Sequence, residues 1–549
     1  MNLSLYLSNQ FTINSIYSND YSSLKGNFIQ GSYLVNWKDF LFILPEIQII
    51  LFLCFILITF SVCIHSNTKK YTILLNTANN LSLLGILFVF LFLNFYVSLE
   101  NPVFFFNYSL YNASFTIFLK KIVLVFTFII IYISKDFLEN HKNTFCEYYI
   151  LIFCLTLGSF VTISANDFLT MYLGLEIQAL SSYVLTCFDS KSVSGESGLK
   201  YFLTGSFSSG IILFGVSLII YALGTQNFTQ INSHILIMNF SHLYFFFKFI
   251  LIFGLFCILF GFLIKLGVAP FHLWIADIYE GALLPATIYF ATVQKFTTFI
   301  IFIRVFLFTF YEFFNIIQPA LMFFSLISFI FGVQLTFAET KVKRFLAFSS
   351  ITHMGFILLG VSFGSYGGIK TSLTYFIIYI IITFSAWLSI MSVTWLSTNN
   401  NNVYIKQTLK NIKDISILIK SKPLFGFIIS VNFFSMGGIP PLVGFAAKAS
   451  IFNHILCNVV TYTNDIPNSL KFSYLFLILV GMATSVVAVF YYIRVVKESF
   501  SKKNSRKLFI TPNNFTLYYL TLIFFFNIFG YSVINSLMEY VDNISFTSF

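Results

Sequence analysis

Three lysines and one glutamate stand inside apolar runs that leave them little reach to water. Lys265 lies in GFLIKLGVAPFHLWIADIYEGA, residues 261–282, two positions before Gly267 and five before Pro270. Proline has no backbone donor and breaks a helix. Within a bilayer the freed carbonyls must be satisfied by protein or water, so a lysine beside such a break is a candidate station on an ion path. Lys448 follows a second interruption, Gly437-Gly438-Ile439-Pro440-Pro441. Lys295 has unbroken apolar sequence behind it from Ala282, and Glu176 is the only acid deep within an expected span.

Each group has a plainer reading. Glu176 would be a structural carboxylate if Ser181 or Ser182 bonded it, but a charge at bilayer depth costs roughly 2.5–3.5 kcal/mol and usually marks a pathway. A membrane lysine can snorkel. Residues 249–264 already make about 24 Å of helix, which would put Lys265 near a membrane face, yet the apolar sequence continues through Trp274 to Ala276. Lys295 is mid-span and reaches water poorly either way, whereas Arg304 is expected to snorkel. His272 and His353 can each relay a proton or simply hold a hydrogen bond. The polar patch Ser349-Ser350-Ile351-Thr352-His353 favours the relay for His353.

The elements that must position these groups are membrane helices. Of 549 residues, 58% are hydrophobic and 9% charged, with 76 Phe, which reads as an all-α polytopic membrane protein. Apolar runs of at least about 17 residues fall near 41–64, 72–97, 115–134, 148–165, 168–188, 199–223, 249–276, 282–310, 317–338, 345–363, 371–397, 424–457, 472–493 and 515–537. That gives about 14 helices. The two Pro-interrupted runs are five runs apart and each carries a lysine, as in two inverted five-helix repeats with ions at the breaks. The match has a flaw: Lys265 precedes its break and Lys448 follows its own. The expected divisions are a polar extension over 1–37, three helices over 38–144, repeats over 145–310 and 311–510, and a last helix over 511–549. The second repeat includes a long polar loop, 398–422.

Sorting loop charges by side leaves Lys25, Lys38, Lys120, Lys121, Lys248, Lys370 and Lys471 on the N-terminal face, with 20 of the 31 basic residues on the other. By the positive-inside rule the richer face is the matrix or cytoplasmic one. Phe, Ile, Asn and Tyr are abundant, as A/T-rich codons would supply, which points to an organellar gene. The first 37 residues carry Lys25 against Asp20 and do not read as an Arg-rich presequence. There is no C-x-x-C pair, G-x-G-x-x-G or P-loop. The chain is therefore not expected to bind a metal, a nucleotide or nucleic acid, or to carry electrons.

The stretches LGLEIQALSSYVL, LKYFLTGSFSSGIILFGVSLIIYALGT, KLGVAPFHLWIADIYEGALLP, ATVQKFTTF, KVKRFLAFSSITHMGF and GGIPPLVGFAAK resemble the antiporter-like membrane subunits of respiratory complex I, the N-type subunit 2 family in particular. PFHLW and the lysine at 448 favour that family over subunits 4 and 5. The resemblance covers roughly 165–450. It implies that Glu176 pairs with Lys265 of a broken seventh helix, that Lys295 is a central-axis lysine, and that Lys448 belongs to a broken twelfth helix. It implies a proton-translocating subunit with no redox group of its own, NAD, FMN, iron–sulfur clusters and ubiquinone being held by other subunits. It also implies complex I membrane-arm partners, phospholipids such as cardiolipin, and the mitochondrial inner membrane with both termini on the intermembrane-space side. The chain departs from the family in its polar N-terminus, in Ala276 where proline is usual, and in the 398–422 loop. A stand-alone cation/proton antiporter would need the same lysines, and a scaffold subunit could use them only to hold helices together.

Overall fold

The computed structural model describes residues 37–539 except 65–70, 96–101, 141–146, 190, 239–244, 392–393, 399–403, 409, 416–422, 462–466, 502–513, 531, 533–535 and 537. The polar extension over 1–36 and much of the 398–422 loop thus lie outside the described residues. The chain divides into two units at residue 44, and of the first only its end is described, chiefly the short helix α1 (Trp37–Phe42).

The second unit is a helical bundle. Its first helices are α2 (Leu44–Ile64), α3 (Tyr71–Phe95), α4 (Ser114–Asn140), α5 (Glu147–Ser164), α6 (Phe168–Thr186) and α7 (Ser192–Leu223). A short α8 (Phe228–Met238) precedes α9 (Phe245–Leu266) and α10 (Leu273–Gly281). One long span follows, made of α11 (Leu284–Tyr289), a π-turn (Phe290–Gln294), α12 (Lys295–Ile303) and a second π-turn (Arg304–Thr309). Then come α13 (Phe314–Ala338), α14 (Val342–Ser362), α15 (Tyr366–Met391), α16 (Pro423–Gly437), α17 (Val443–Thr461), α18 (Asn468–Ser501) and α19 (Asn514–Phe529). Thirteen of these helical segments are long and apolar enough to cross a membrane among the described residues. Two apolar helices are shorter: α19, in the run expected to be the last span, and α16, the first half of the interrupted one. The fold class is the one expected: an all-α polytopic bundle with two broken helices.

The breaks are built alike. α9 ends at Gly267, whose φ of 71° only glycine adopts without strain. The Gly267 and Val268 N–H groups both return to the Leu263 carbonyl, at 3.0 and 3.1 Å. At α16, Gly438 has φ 85°, and the Gly438 and Ile439 N–H groups return to Phe434 at 3.0 and 3.2 Å. This glycine cap ends a helix while satisfying its last carbonyls. In each case the proline three residues after the glycine, Pro270 or Pro441, follows a cis bond. Lys265 stands five residues before its cis proline and Lys448 seven after its own, but the Lys448 side chain reaches back to the carbonyl of Met436, the residue in register with Lys265. Both lysines therefore serve the C-terminal end of the first half-helix.

Burial separates centre from rim. α14 is buried continuously from Phe345 to Ser362, and the span Leu284–Thr309 is 94% buried, whereas α2 is 28% buried. The central helices carry Lys295, His353, Tyr375 and Tyr379, so those groups are walled from lipid by the rest of the bundle.

Two hairpins were not foreseen. β1 (Val103–Phe105) pairs with β2 (Leu110–Asn112) between α3 and α4. β3 (Thr394–Thr398) pairs with β4 (Tyr404–Thr408); β3 takes up the end of the apolar run expected to be a span over 371–397, α15 ending at Met391, and β4 lies in the expected polar loop. The first hairpin overturns the expectation for Arg304. That side chain is 8% exposed, donates to the Ile163 carbonyl at 3.0 Å, and lies 4.8 Å over the Tyr111 ring. The hairpin supplies the partner that replaces water. Lys120 and Glu46 also depart from expectation: instead of sitting in a loop, Lys120 is 1% exposed within α4 and pairs with Glu46 at 2.6 Å.

Candidate functional site: a line of buried titratable groups

Lys295 and His353 stand on central helices, and Lys265 and Lys448 on the two halves that flank the breaks. Glu176 is half-buried on α6. Ser181 and Ser182 donate to carbonyls of their own helix, so neither holds this carboxylate as the plainer reading required. Its Oε1 is buried with no partner among the described residues, and Tyr172, one turn away, lies within electrostatic reach. Lys265, in the last turn of α9, lies within electrostatic reach of Glu176.

Lys265 opens onto two small cavities. One, of about 30 Å³, is lined by Gln178, Tyr201, Thr204, Ser208, Trp274 and Gln294 among others. The other, of about 10 Å³, is lined by both Lys265 and Lys295. Spaces of this size hold single waters where polar groups line them. Lys295 itself is 3% exposed. Its Nζ donates to Ser350 Oγ at 2.9 Å and lies 5.6 Å over the Tyr279 ring. The π-turn just before it breaks the regular α-helical ladder at this point, a local feature common at functional sites.

Beyond Lys295 the polar groups continue on α14 and α15. Ser350 lies near Tyr379, whose ring lies 4.7 Å from that of His353. His353 Nδ1 meets Tyr375 Oη at 2.7 Å, and Nε2 meets Tyr492 Oη at 3.4 Å. His353 lies within electrostatic reach of both Lys295 and Lys448. Lys448 Nζ donates to the carbonyls of Met436 at 3.2 Å and Gly437 at 2.9 Å, and lies 5.2 Å over Phe356. These carbonyls are the free end of α16, where a cation is favoured.

His272 is not brought to this line. It precedes α10, its ring lies 5.7 Å from Phe331, and it lines neither cavity. The residues that sequence reading missed are the linking hydroxyls, Tyr201, Tyr375, Tyr379 and Tyr492. The spacing of Tyr375 and Tyr379, one turn apart in a buried helix, was the available signal.

On the charge-rich face α10 is tied to its neighbours. Lys200 bonds Asp277 at 2.8 Å, Arg344 bonds Asp277 at 3.0 Å and also Glu280, and Lys341 pairs with Glu280. Lys343 caps the Ala282 carbonyl at 2.7 Å. Burial pushes the Glu280 carboxyl up, but Lys341 and Arg344 outweigh this and hold it below its usual value. Among the described residues no cluster of three His, Cys, Asp or Glu could hold a metal.

The family model described as NADH:quinone oxidoreductase/Mrp antiporter, transmembrane, matches residues 165–464, which span both breaks and every group in this line. The chain belongs to that family. Similar curated proteins include subunit N of the NADH-quinone oxidoreductase of Pelagibacter ubique, 34% identical over 87% of this chain and 92% of that one. Chain 2 of the NADH-ubiquinone oxidoreductase of Oenothera berteroana is 35% identical over 87% and 91%. Among solved structures, a chain of respiratory complex I from Thermus thermophilus superposes with a TM-score of 0.67 at 19% identity, over 90% of this chain and 99% of that one. A chain of the Mrp complex from Dietzia gives 0.69 at 17%, over 91% and 97%. These two likenesses speak to the fold, which is that of the antiporter-like family members.

Proposed function

We propose that this chain is a proton-translocating membrane-arm subunit of NADH:quinone oxidoreductase, carrying protons along Glu176, Lys265, Lys295, His353 and Lys448. The observation that supports the reading is that buried titratable groups recur at both broken helices and on the central ones, with a water-sized space lined by both Lys265 and Lys295 and hydroxyls bonded to Lys295 and His353. A buried ammonium is disfavoured by desolvation and favoured by a nearby carboxylate. With Glu176 close, Lys265 keeps its proton. With Glu176 withdrawn, the proton passes to Lys295 and on towards Lys448. Quinone reduction elsewhere in the assembly would bias this two-state switch. His272, off the line, has at most an accessory relay role.

On this reading NAD, FMN, iron–sulfur clusters and ubiquinone belong to other subunits. The partners are the remaining membrane-arm subunits and phospholipids such as cardiolipin. The relatives in plant mitochondria support the mitochondrial inner membrane. The charge asymmetry supports termini on the intermembrane-space side. A cysteine introduced between Lys502 and Lys507 should then react only from the matrix side. Its labelling from outside intact mitoplasts would reverse the orientation. The rival reading is a stand-alone cation/proton antiporter, favoured by the Mrp likeness in fold. Purification of the tagged native chain separates the two. Co-purification with NADH-oxidising activity is expected, and recovery only with Mrp-type subunits would overturn the proposal.

A further inference from the structure

The two cavities share four lining residues, Tyr201, Lys265, Trp274 and Gln294. Tyr201 lies flat against Trp274, with ring centroids 5.4 Å apart and planes at 12°. Trp274 is itself fixed, because its indole N–H donates to the Ile264 carbonyl at 3.1 Å, across the break from its own helix. The Tyr201 ring is thus held while its hydroxyl can still turn. That hydroxyl donates to Gln294 Oε1 at 3.3 Å, long for an O–H···O bond, and Ser182 is also within reach. A second, independent observation concerns the smaller cavity. Tyr279 lines it, is 1% exposed, and its hydroxyl has no partner among the described residues. Buried hydroxyls are normally satisfied by protein or ordered water, and this space holds about one water.

We propose that the Tyr201 hydroxyl, latched by Gln294, gates proton passage between Lys265 and Lys295 through a single water held by Tyr279. The inference rests on the proton-path reading and names the step between its first two lysines. Turned to Gln294, the hydroxyl cannot donate into the smaller cavity and the path is closed. Turned to the water, it completes a relay. One N–H bond of Lys265 breaks as its proton joins the Tyr201 oxygen. The hydroxyl's own proton passes to the water, and a proton of the water passes to neutral Lys295, forming one N–H bond. Tyr201 and the water end as they began, so neither is left ionised. Gln294, on the π-turn adjoining Lys295, ties the latch to the position of that lysine.

Tyr201→Phe in the intact complex keeps the ring stack on Trp274 and removes only the hydroxyl. The expected result is an assembled complex whose coupled proton pumping falls by about tenfold or more, with a changed slowing in D2O. Gln294→Met, which frees the latch, should lower the number of protons pumped per NADH oxidised. Wild-type pumping in Tyr201→Phe overturns the gate. Lys265→Ala and Lys295→Ala, measured alongside, separate two failures. If they pump normally, the path reading falls; if they are inactive while Tyr201→Phe is normal, only the gate falls. Should Tyr201→Phe not assemble, a high-resolution map of the native complex decides: water at the Tyr279 hydroxyl supports the proposal and a dry cavity overturns it.

Discussion

Replacing Lys295 by alanine should leave the complex assembled and lower its coupled proton pumping on the order of a hundredfold, the scale of losing a positioned proton-transfer group. Assembly is expected because little is stranded. Ser350 Oγ already donates to the Ala347 carbonyl at 2.6 Å and stays satisfied without the ammonium. The Tyr279 ring loses a cation over its face, and the apolar surroundings accept a methyl group. Lys295→Arg should be impaired as well. Arginine is effectively never deprotonated in proteins, so it can hold a charge at this point but cannot pass a proton on. A lysine that only held helices together would give the reverse order: Arg tolerated, Ala blocking assembly. NADH oxidation and proton uptake in reconstituted vesicles, read beside a native gel, distinguish the two. Full coupled activity in both variants would remove Lys295 from the path.

The breaks were legible because glycine and proline act through the backbone alone. Gly267 with Pro270, and Gly438 with Pro440-Pro441, state where a helix must stop whatever surrounds them. The mid-span position of Lys295 was legible for a similar reason, since apolar length on both sides fixes depth without knowledge of partners. What failed were inferences that needed a partner's position. Arg304 was expected to reach water, but its fate was decided by Tyr111 and the Ile163 carbonyl, more than a hundred residues away. The offset between Lys265 and Lys448 looked like a broken symmetry in sequence. In the fold the Lys448 side chain reaches back across its break to the Met436 and Gly437 carbonyls, a reach that sequence order does not show. Apart from the one-turn spacing of Tyr375 and Tyr379, nothing set the tyrosines near the lysines apart from the chain's 31, since aromatic residues suit any buried helix.

The Glu46–Lys120 pair was missed for a related reason, and single changes there should have the largest effect on assembly. Glu46 follows Pro45 at the start of a span and Lys120 lies near the start of another, so each looks like an interfacial charge. In the fold they meet at 2.6 Å, at 4% and 1% exposure, with Asn112 Oδ1 accepting from Lys120 at 3.0 Å and the Phe160 ring 5.6 Å beneath it. Lys120→Met leaves a buried carboxylate and Glu46→Leu leaves a buried ammonium. Removing one member of such a pair costs about 3–5 kcal/mol, because the remaining charge is uncompensated. Either single variant should therefore sharply reduce assembled complex. The double variant removes both desolvation costs along with the attraction, and apolar replacement of a whole buried pair is often neutral or better. Its assembly should return to near the wild-type amount on a native gel, even though both charges have been removed from the chain. If the double variant is as poorly assembled as the worse single one, the pair's value lies in something other than mutual charge compensation, and the hydrogen bond to Asn112 in the first hairpin becomes the contact to test.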